Sequence, residues 1–359
     1  MSASHETHPF EPHRRQIEVI LRAWGMPAEP AATTADILAW ADLHGIDSHG
    51  ISMLPTYDRQ RRSGRINLSA QPEVIRGTAV SALIDGGGGL GHVAAKMAME
   101  VAIERALDAG LAAVAVRNSA HFGACGYYVL MAAEAGLIGI ACTSASGIRV
   151  APTGGAEARL GTDPWSFAAP GAPGRPFLLD MATTTVAYGK IRNKLNEGLA
   201  CPPGWVQTRE GRPSTDPRDV AERGGFQTSL GGTPEGGSHK SYGLAVMVNI
   251  LAACLAGTTV PTDPQHTKKP AGMDIGHFFF ALDPGLFRDR DAFCADVARF
   301  CDDLRTTRPI DPSRPVMVAG DPERAAAARR MRDGIPVGRG LLSEVRKLAG
   351  ECGAEWVLG

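Results

Sequence analysis

VSALIDGGGGLGHVAAKMAMEVAIERALDAGLAAVAVRN, residues 80–118, decides the fold class. VSALID is strand-like, the glycines make a turn, and VAAKMAMEVAIERALDAG spaces its apolar residues as a helix does. LAAVAVRN is strand-like again, so the stretch alternates β and α. Gly86, Gly88 and Gly91 form G-x-G-x-x-G between strand and helix. That is the context of a dinucleotide fingerprint, in which glycines let backbone N–H groups approach a pyrophosphate at a helix N-terminus. The next strand of such a unit ends in an acidic residue for the ribose. Here it ends in Arg117 and Asn118, so the fingerprint is incomplete, and an arginine there suits a 2′-phosphate.

The alternation continues outward. Downstream come SAHFGACG, a helical YYVLMAAEAG, and strand candidates LIGIACTSA, SFAAP, FLLDMA and HFFFALD. Upstream, Ile17, Ile20, Leu21 and Trp24 mark one buried helix face. A second helix is expected from a cap at Thr33 or Thr34, through Ile37, Leu38 and Ala41, to an end by Gly45. Residues 196–237 read as long loops, Lys240 to Gly257 as helix, and 288–359 as mostly helical. The expected architecture is α/β, with helical chain ends packing together beside a central body. The expected division is residues 1–77 plus 286–359 against 78–285.

At 359 residues, the chain is long enough for two domains or one large α/β body. Its 37 basic and 38 acidic residues nearly cancel, which gives no sign of a nucleic-acid or anionic-membrane partner. The longest apolar run, Leu244 to Ala256, is too short to span a bilayer. Seven cysteines without CxxC pairs suit a reducing compartment. The start, MSASHETHPFEPHRRQ, lacks an apolar signal-peptide core, so a cytoplasmic protein is expected.

Several polar clusters are candidates for chemistry. ADLHGIDSHGISMLPTY, residues 41–57, carries His44, Asp47 and His49 at a helix end and the loop after it. It lacks the tighter pattern of a zinc site, and no metal is expected. His121 follows a strand within a tight polar turn, and a histidine of ordinary pKa suits general acid–base work. Asp180 ends an apolar strand, where it could cap a helix, orient a histidine or hold a ribose. Lys240, between a glycine turn and a helix, suits a phosphate or a carboxylate. GxSxG and HExxH are both absent from the sequence.

SHGISMLPTY, RNSAHFGACGYY, GTDPWSFAAP, LLDMATTTVAYGKI, PPGW, HKSYGLA, IGHFFFALDP and the late AGDPE/DGIPV segment together resemble one family in order and spacing. It is the malate/L-lactate dehydrogenase family that also includes ureidoglycolate, sulfolactate and Δ1-piperideine-2-carboxylate enzymes. The resemblance covers roughly residues 15–345. It implies a homodimer whose NAD(P)-binding domain is a non-Rossmann mixed-sheet α/β fold, with a mostly helical discontinuous second domain. Gly86 to Gly91 then becomes a turn of that fold. It further implies His121 as the acid/base, with Ser48, His49, Met53 and Tyr57 on the substrate side. On the cofactor side it implies Ser144 or Ser146, Asp180, Met181, Ala182, Lys240, and Gly320 within Ala319–Asp321.

Three positions depart from the family. Met53 stands where an arginine usually grips the substrate carboxylate, His44 where arginine is frequent, and Lys240-Ser241 where Lys-Gly is usual. Another cation, such as Arg59 or Lys190, would have to take the carboxylate, or the substrate presents something different. The expected activity is NAD- or NADP-dependent hydride transfer at C2 of a 2-hydroxy or 2-oxo acid. The alternatives are reduction of a cyclic imine carboxylate and cofactor binding without catalysis.

Overall fold

The structure is a computed structural model and describes residues 5–145, 147–263 and 273–359. The N-terminal part contains strand β1 (His5–His8) and helices α1 (Phe10–Ala23) and α2 (Ala28–Leu43). Two 3₁₀ turns, Asp47–His49 and Ile51–Met53, lead into α3 (Leu54–Arg62). Next come β2 (Glu73–Thr78), β3 (Ser81–Asp85), α4 (Gly91–Ala109), β4 (Leu111–Ser119), α5 (Gly126–Glu134) and β5 (Ile138–Thr143). A hairpin, β6 (Trp165–Ala172) and β7 (Arg175–Met181), precedes α6 (Tyr188–Glu197). Short strands β8 (Val206–Gln207), β9 (Pro213–Ser214) and β10 (Phe226–Gln227) flank α7 (Pro217–Ala221). The chain closes with α8 (Ser238–Asn249), β11 (Ile275–Leu282), α9 (Arg290–Arg305), α10 (Asp321–Asp333), β12 (Ile335–Gly338) and α11 (Arg339–Cys352).

Seven strands form one sheet in the order β2-β3-β4-β11-β5-β6-β7. Only the β3–β4 pair is parallel, and every other pairing in this sheet is antiparallel. The sheet is therefore mixed, and not the parallel sheet of a doubly wound nucleotide fold. β4 lies inside it and reads as a nearly continuous apolar run, as a strand covered on both faces should. Ala94, Ala98, Ala102 and Ala106, one turn apart along α4, are buried with β4 in one core. α4 ends at Gly110, whose φ of +89° gives the left-handed cap that glycine adopts without a Cβ penalty.

The Gly86–Gly91 turn is not a phosphate cradle. The amides of Gly86, Gly88 and Gly91 donate to the carbonyls of Arg117, Asn118 and His121. These donors are already used within the protein, so none is left for a pyrophosphate.

A second core joins the two chain ends: Ile17, Ile20, Leu21, Leu38, Tyr57, Val345 and Leu358 belong to one buried cluster. The Gln16 amide reinforces it, donating to Glu355 O and accepting from Val357 N–H.

The structure corrects some local expectations. α2 starts at Ala28 after Pro27, and Thr34 is buried within it; Pro30 is tolerated in the first turn, where amides have no helical partner. α6 and the β1–β12 pair were not expected, and the helix from Lys240 begins at Ser238 and ends as a π turn over Ile250–Cys254. Among the described residues, no helix is long and apolar enough to cross a membrane.

Candidate active site

His121 stands just beyond the end of β4, on a backbone aimed by its neighbours. Asn118 adopts a left-handed φ of +49°, and its side chain donates to Asp85 Oδ1 at 2.7 Å. Gly91 N–H grips the His121 carbonyl at 3.0 Å. A Cβ on Gly91 would lie 2.3 Å from Ala120 O, so only glycine allows α4 to start this close to the histidine loop.

The His121 ring is held from behind. Gly123 N–H points toward Nδ1 from 3.3 Å, and the Tyr57 hydroxyl, which can donate or accept, lies 2.7 Å from the same atom. Nε2 has no partner among the described residues and is the nitrogen left for the cavity. Tyr57 Oη also lies 3.5 Å from His92 Nε2, and both side chains are fully buried. Burial holds the His121 pKa well below its ordinary value, and the nearby His49, His92 and His277 lower it further. His92 is pushed down to about 3, chiefly by burial. His277 is likewise pushed down to about 3 by burial, and it braces the floor by stacking on Phe122 at 4.7 Å.

The loop bearing His49 is pinned by Asp42, at the end of α2. Asp42 Oδ2 accepts from Ile51 N–H at 2.7 Å and lies 2.7 Å from His13 Nε2, both carboxylate and imidazole being buried. Gly50 passes so close that a Cβ would fall 1.9 Å from Asp42 Oδ1, which explains the glycine after His49. His49 stacks on His121 with ring centroids 5.4 Å apart, and its Nδ1 lies 2.8 Å from Ser48 Oγ. Burial lowers the His49 pKa. Of the other two residues weighed as metal ligands, His44 Nδ1 bonds to Trp40 O and Asp47 pairs with Arg330.

Two adjoining cavities open on this cluster. One, of about 330 Å³, is lined by His49, Met53, His121, Ser144 and Arg149 among others. The other, of about 390 Å³, is lined by Ser48, His49, Asp180, Met181, Ala182 and Glu323 among others. His49, Gly123, Thr162, Pro164 and Tyr188 border both, so the two form one cleft. Asp180 Oδ2 accepts from Gly126 N–H at 2.7 Å, while Oδ1 has no partner among the described residues. Burial pushes its pKa up to about 6. A carboxylate oxygen free at the wall, beside Met181 and Ala182, fits a ribose hydroxyl next to a flat ring. The donor set thus suits a nicotinamide nucleoside.

The other expected residues divide between the cleft and its surroundings. Tyr57 lines neither cavity; it is packed in the core behind His121. Ser144 Oγ accepts from Gly276 N–H at 3.2 Å. Lys240 is exposed in the first turn of α8 and borders neither cavity. Gly320 lines a separate cavity of about 530 Å³ that shares Leu178 and Glu323 with the Asp180 side. Ser146 lies outside the described residues. Arg59 donates to Thr56 Oγ1, and neither it nor Lys190 lines the cleft. Sequence reading missed His92, Tyr188, Arg149 and Asp163. Asp163 accepts from Ala145 N–H and Gly161 N–H, both at 3.1 Å, and so anchors the loop after β5. The signals were faint: a lone arginine in SASGIRVAP and a histidine hidden in a glycine motif.

Comparison with known proteins shows what the chain is similar to. A sequence profile described as malate/L-lactate dehydrogenase matches residues 9–346. The malate dehydrogenase of Pyrococcus horikoshii is 39% identical over 337 residues, covering 94% of this chain and 92% of that protein. The L-sulfolactate dehydrogenase of Methanocaldococcus jannaschii is 34% identical, with 96% of each chain covered. The crystal structure of malate dehydrogenase from Entamoeba histolytica superposes with a TM-score of 0.93 at 31% identity, covering 98% of this chain and 99% of that one.

Proposed function

The chain belongs to the malate/L-lactate dehydrogenase family, and from that premise we propose that it interconverts a 2-hydroxy acid and the matching 2-oxo acid with NAD or NADP. It is an oxidoreductase acting on CH–OH. The observation that carries the substrate-side chemistry is His121, fixed at Nδ1 and open at Nε2 on a cavity of substrate size.

The cofactor, when bound, supplies or accepts the hydride at the substrate's C2. Asp180 would hold its ribose hydroxyls, Met181 and Ala182 would line the wall beside its ring, and Ser144 or Ser146 would lie in the nucleotide loop. Lys240 would serve the phosphates and Gly320 the adenosine end.

In reduction, the protonated His121 gives its Nε2 proton to the substrate oxygen as charge develops there. In oxidation, neutral His121 takes that proton back. For that, Nδ1 must carry the ring's own proton. The Tyr57 hydroxyl can then turn to accept from Nδ1–H, since a hydroxyl both donates and accepts. His49, stacked on His121 and bonded to Ser48, orients the substrate, and Met53 gives an apolar wall.

The same reading takes residues 78–285 as the cofactor-binding body and the two chain ends as the second domain, in a cytoplasmic homodimer. One buried cluster holding Ile17, Leu38, Val345 and Leu358 supports grouping the chain ends, and Leu90, Ala120 and Ile275 of the central body pack into it.

The test is a nicotinamide absorbance assay with NADH and NADPH against a panel of 2-oxo acids and cyclic imine carboxylates, for wild type and His121→Ala. The expected result is turnover of a 2-oxo acid that falls about 10²–10⁴-fold in His121→Ala, with cofactor affinity kept. Turnover of imines alone would move the substrate class. Cofactor binding without any turnover would make the chain a non-catalytic binder.

A further inference from the structure

A 2-hydroxy or 2-oxo acid enters the cleft as an anion, and a carboxylate taken out of water needs a partner. Among the described residues, Arg149 is the one arginine or lysine that lines either cavity of the cleft. The neighbouring cavity carries Asp180 and Glu323, which repel an anion. Met53, in the same cavity as Arg149, offers no charge.

Arg149 is also prepared for a ligand. Its guanidinium lies over the Tyr188 ring, 4.3 Å from the centroid, and makes no hydrogen bond or ion pair among the described residues. Arg117, Arg324 and Arg330 line neither cavity and are committed elsewhere, to Asp85, Asp321 and Asp47. The backbone of Arg149 is fixed on both sides, its N–H donating to Leu160 O at 2.8 Å and its carbonyl accepting from Gln227 N–H at 2.9 Å. Stacking on Tyr188 holds the guanidinium plane while leaving its edge free for ligand, which reduces the entropy lost on binding.

We propose that Arg149 is the anchor of the substrate's carboxylate. Its paired N–H donors take both carboxylate oxygens while His121 meets the oxygen on C2. Tyr188 positions the guanidinium. The assignment rests on the 2-hydroxy-acid reading above and adds the residue that determines acid specificity.

The test compares wild type, Arg149→Met, Arg149→Lys and the double variant Met53→Arg/Arg149→Met. The readouts are KM and kcat for the best 2-oxo acid and for its primary amide, together with cofactor Kd from NAD(P)H fluorescence. For Arg149→Met, KM for the acid should rise about 100-fold and the preference of acid over amide should collapse, with cofactor Kd within about two-fold. Arg149→Lys should retain part of the preference, and Met53→Arg should restore part of what Arg149→Met loses.

An acid KM unchanged in both single variants overturns the assignment while leaving the 2-oxo-acid reading intact. A rise in cofactor Kd with acid KM unchanged also overturns it, making Arg149 a phosphate ligand. A wild type that reduces no 2-oxo acid removes the parent reading and this assignment together. If Arg149→Met does not fold, Arg149→Lys decides the matter, with an expected KM rise of about 10-fold and an unchanged melting temperature.

Discussion

A histidine that moves a proton is useful only where its pKa leaves both forms within reach. His121 is enclosed by protein and by three further histidines, so burial first, then His49, His92 and His277, favours its neutral form. Below neutrality the unfolded or exposed ring would hold a proton that the folded one resists, because the folded pKa lies under the ordinary 6.5. The sign for catalysis follows. Oxidation needs the neutral ring, so its kcat/KM should be flat through neutral pH and fall only in acid, with a midpoint below 6.5. Reduction needs the protonated ring, so its kcat/KM should rise about tenfold per unit as pH falls across the neutral range. Steady-state kinetics in both directions provide the check. An oxidative midpoint at or above 7 would show that His121 is not the titrating group.

At the scale of elements, the glycine turn between β3 and α4 sets where His121 stands. Its G-x-G-x-x-G spacing was plain in the sequence, but its use was not. The spacing alone does not say whether those amides face a phosphate or the end of β4. Here the amides of Gly86, Gly88 and Gly91 all point to carbonyls from Arg117 to His121. Gly91→Ala would place a Cβ 2.3 Å from Ala120 O and 2.8 Å from Phe122 Cβ, so α4 or the His121 loop must shift. A loss of about 1–3 kcal/mol is expected in urea unfolding, together with lowered kcat. Gly243, inside α8, has nothing within 4 Å of an added Cβ. Gly243→Ala should therefore be neutral or stabilising by up to about 1 kcal/mol. Equal behaviour of the two variants would refute the role given to the turn.

Over the whole molecule, what was legible followed from periodicity and from motifs in register. The alternation in residues 80–118 announced the α/β body, and eight short segments carried the family. Pairing between distant residues was not legible. His5 faces Gly338 across β1 and β12, two four-residue strands too short to carry a pattern that stands out in the sequence. β2 is exposed along its whole length, so no buried face marked it. At the site, Asp180, His49 and His121 were readable because each sits in a distinctive segment, and the structure brings all three to one cleft. The family resemblance implies Tyr57 on the substrate side; α3 packs it in the core behind His121, against His92. Nothing in the sequence marks Arg149, because its significance comes from Tyr188, thirty-nine positions later, and from the lack of charge at Met53. The measurement that bears most directly on the central claim is NMR of the product formed from a 2-oxo acid and NAD(P)H carrying deuterium at the transferable position. Deuterium at C2 of a 2-hydroxy acid is the predicted result. Cofactor consumed without label at C2, or no hydroxy acid formed from any 2-oxo acid, would contradict it.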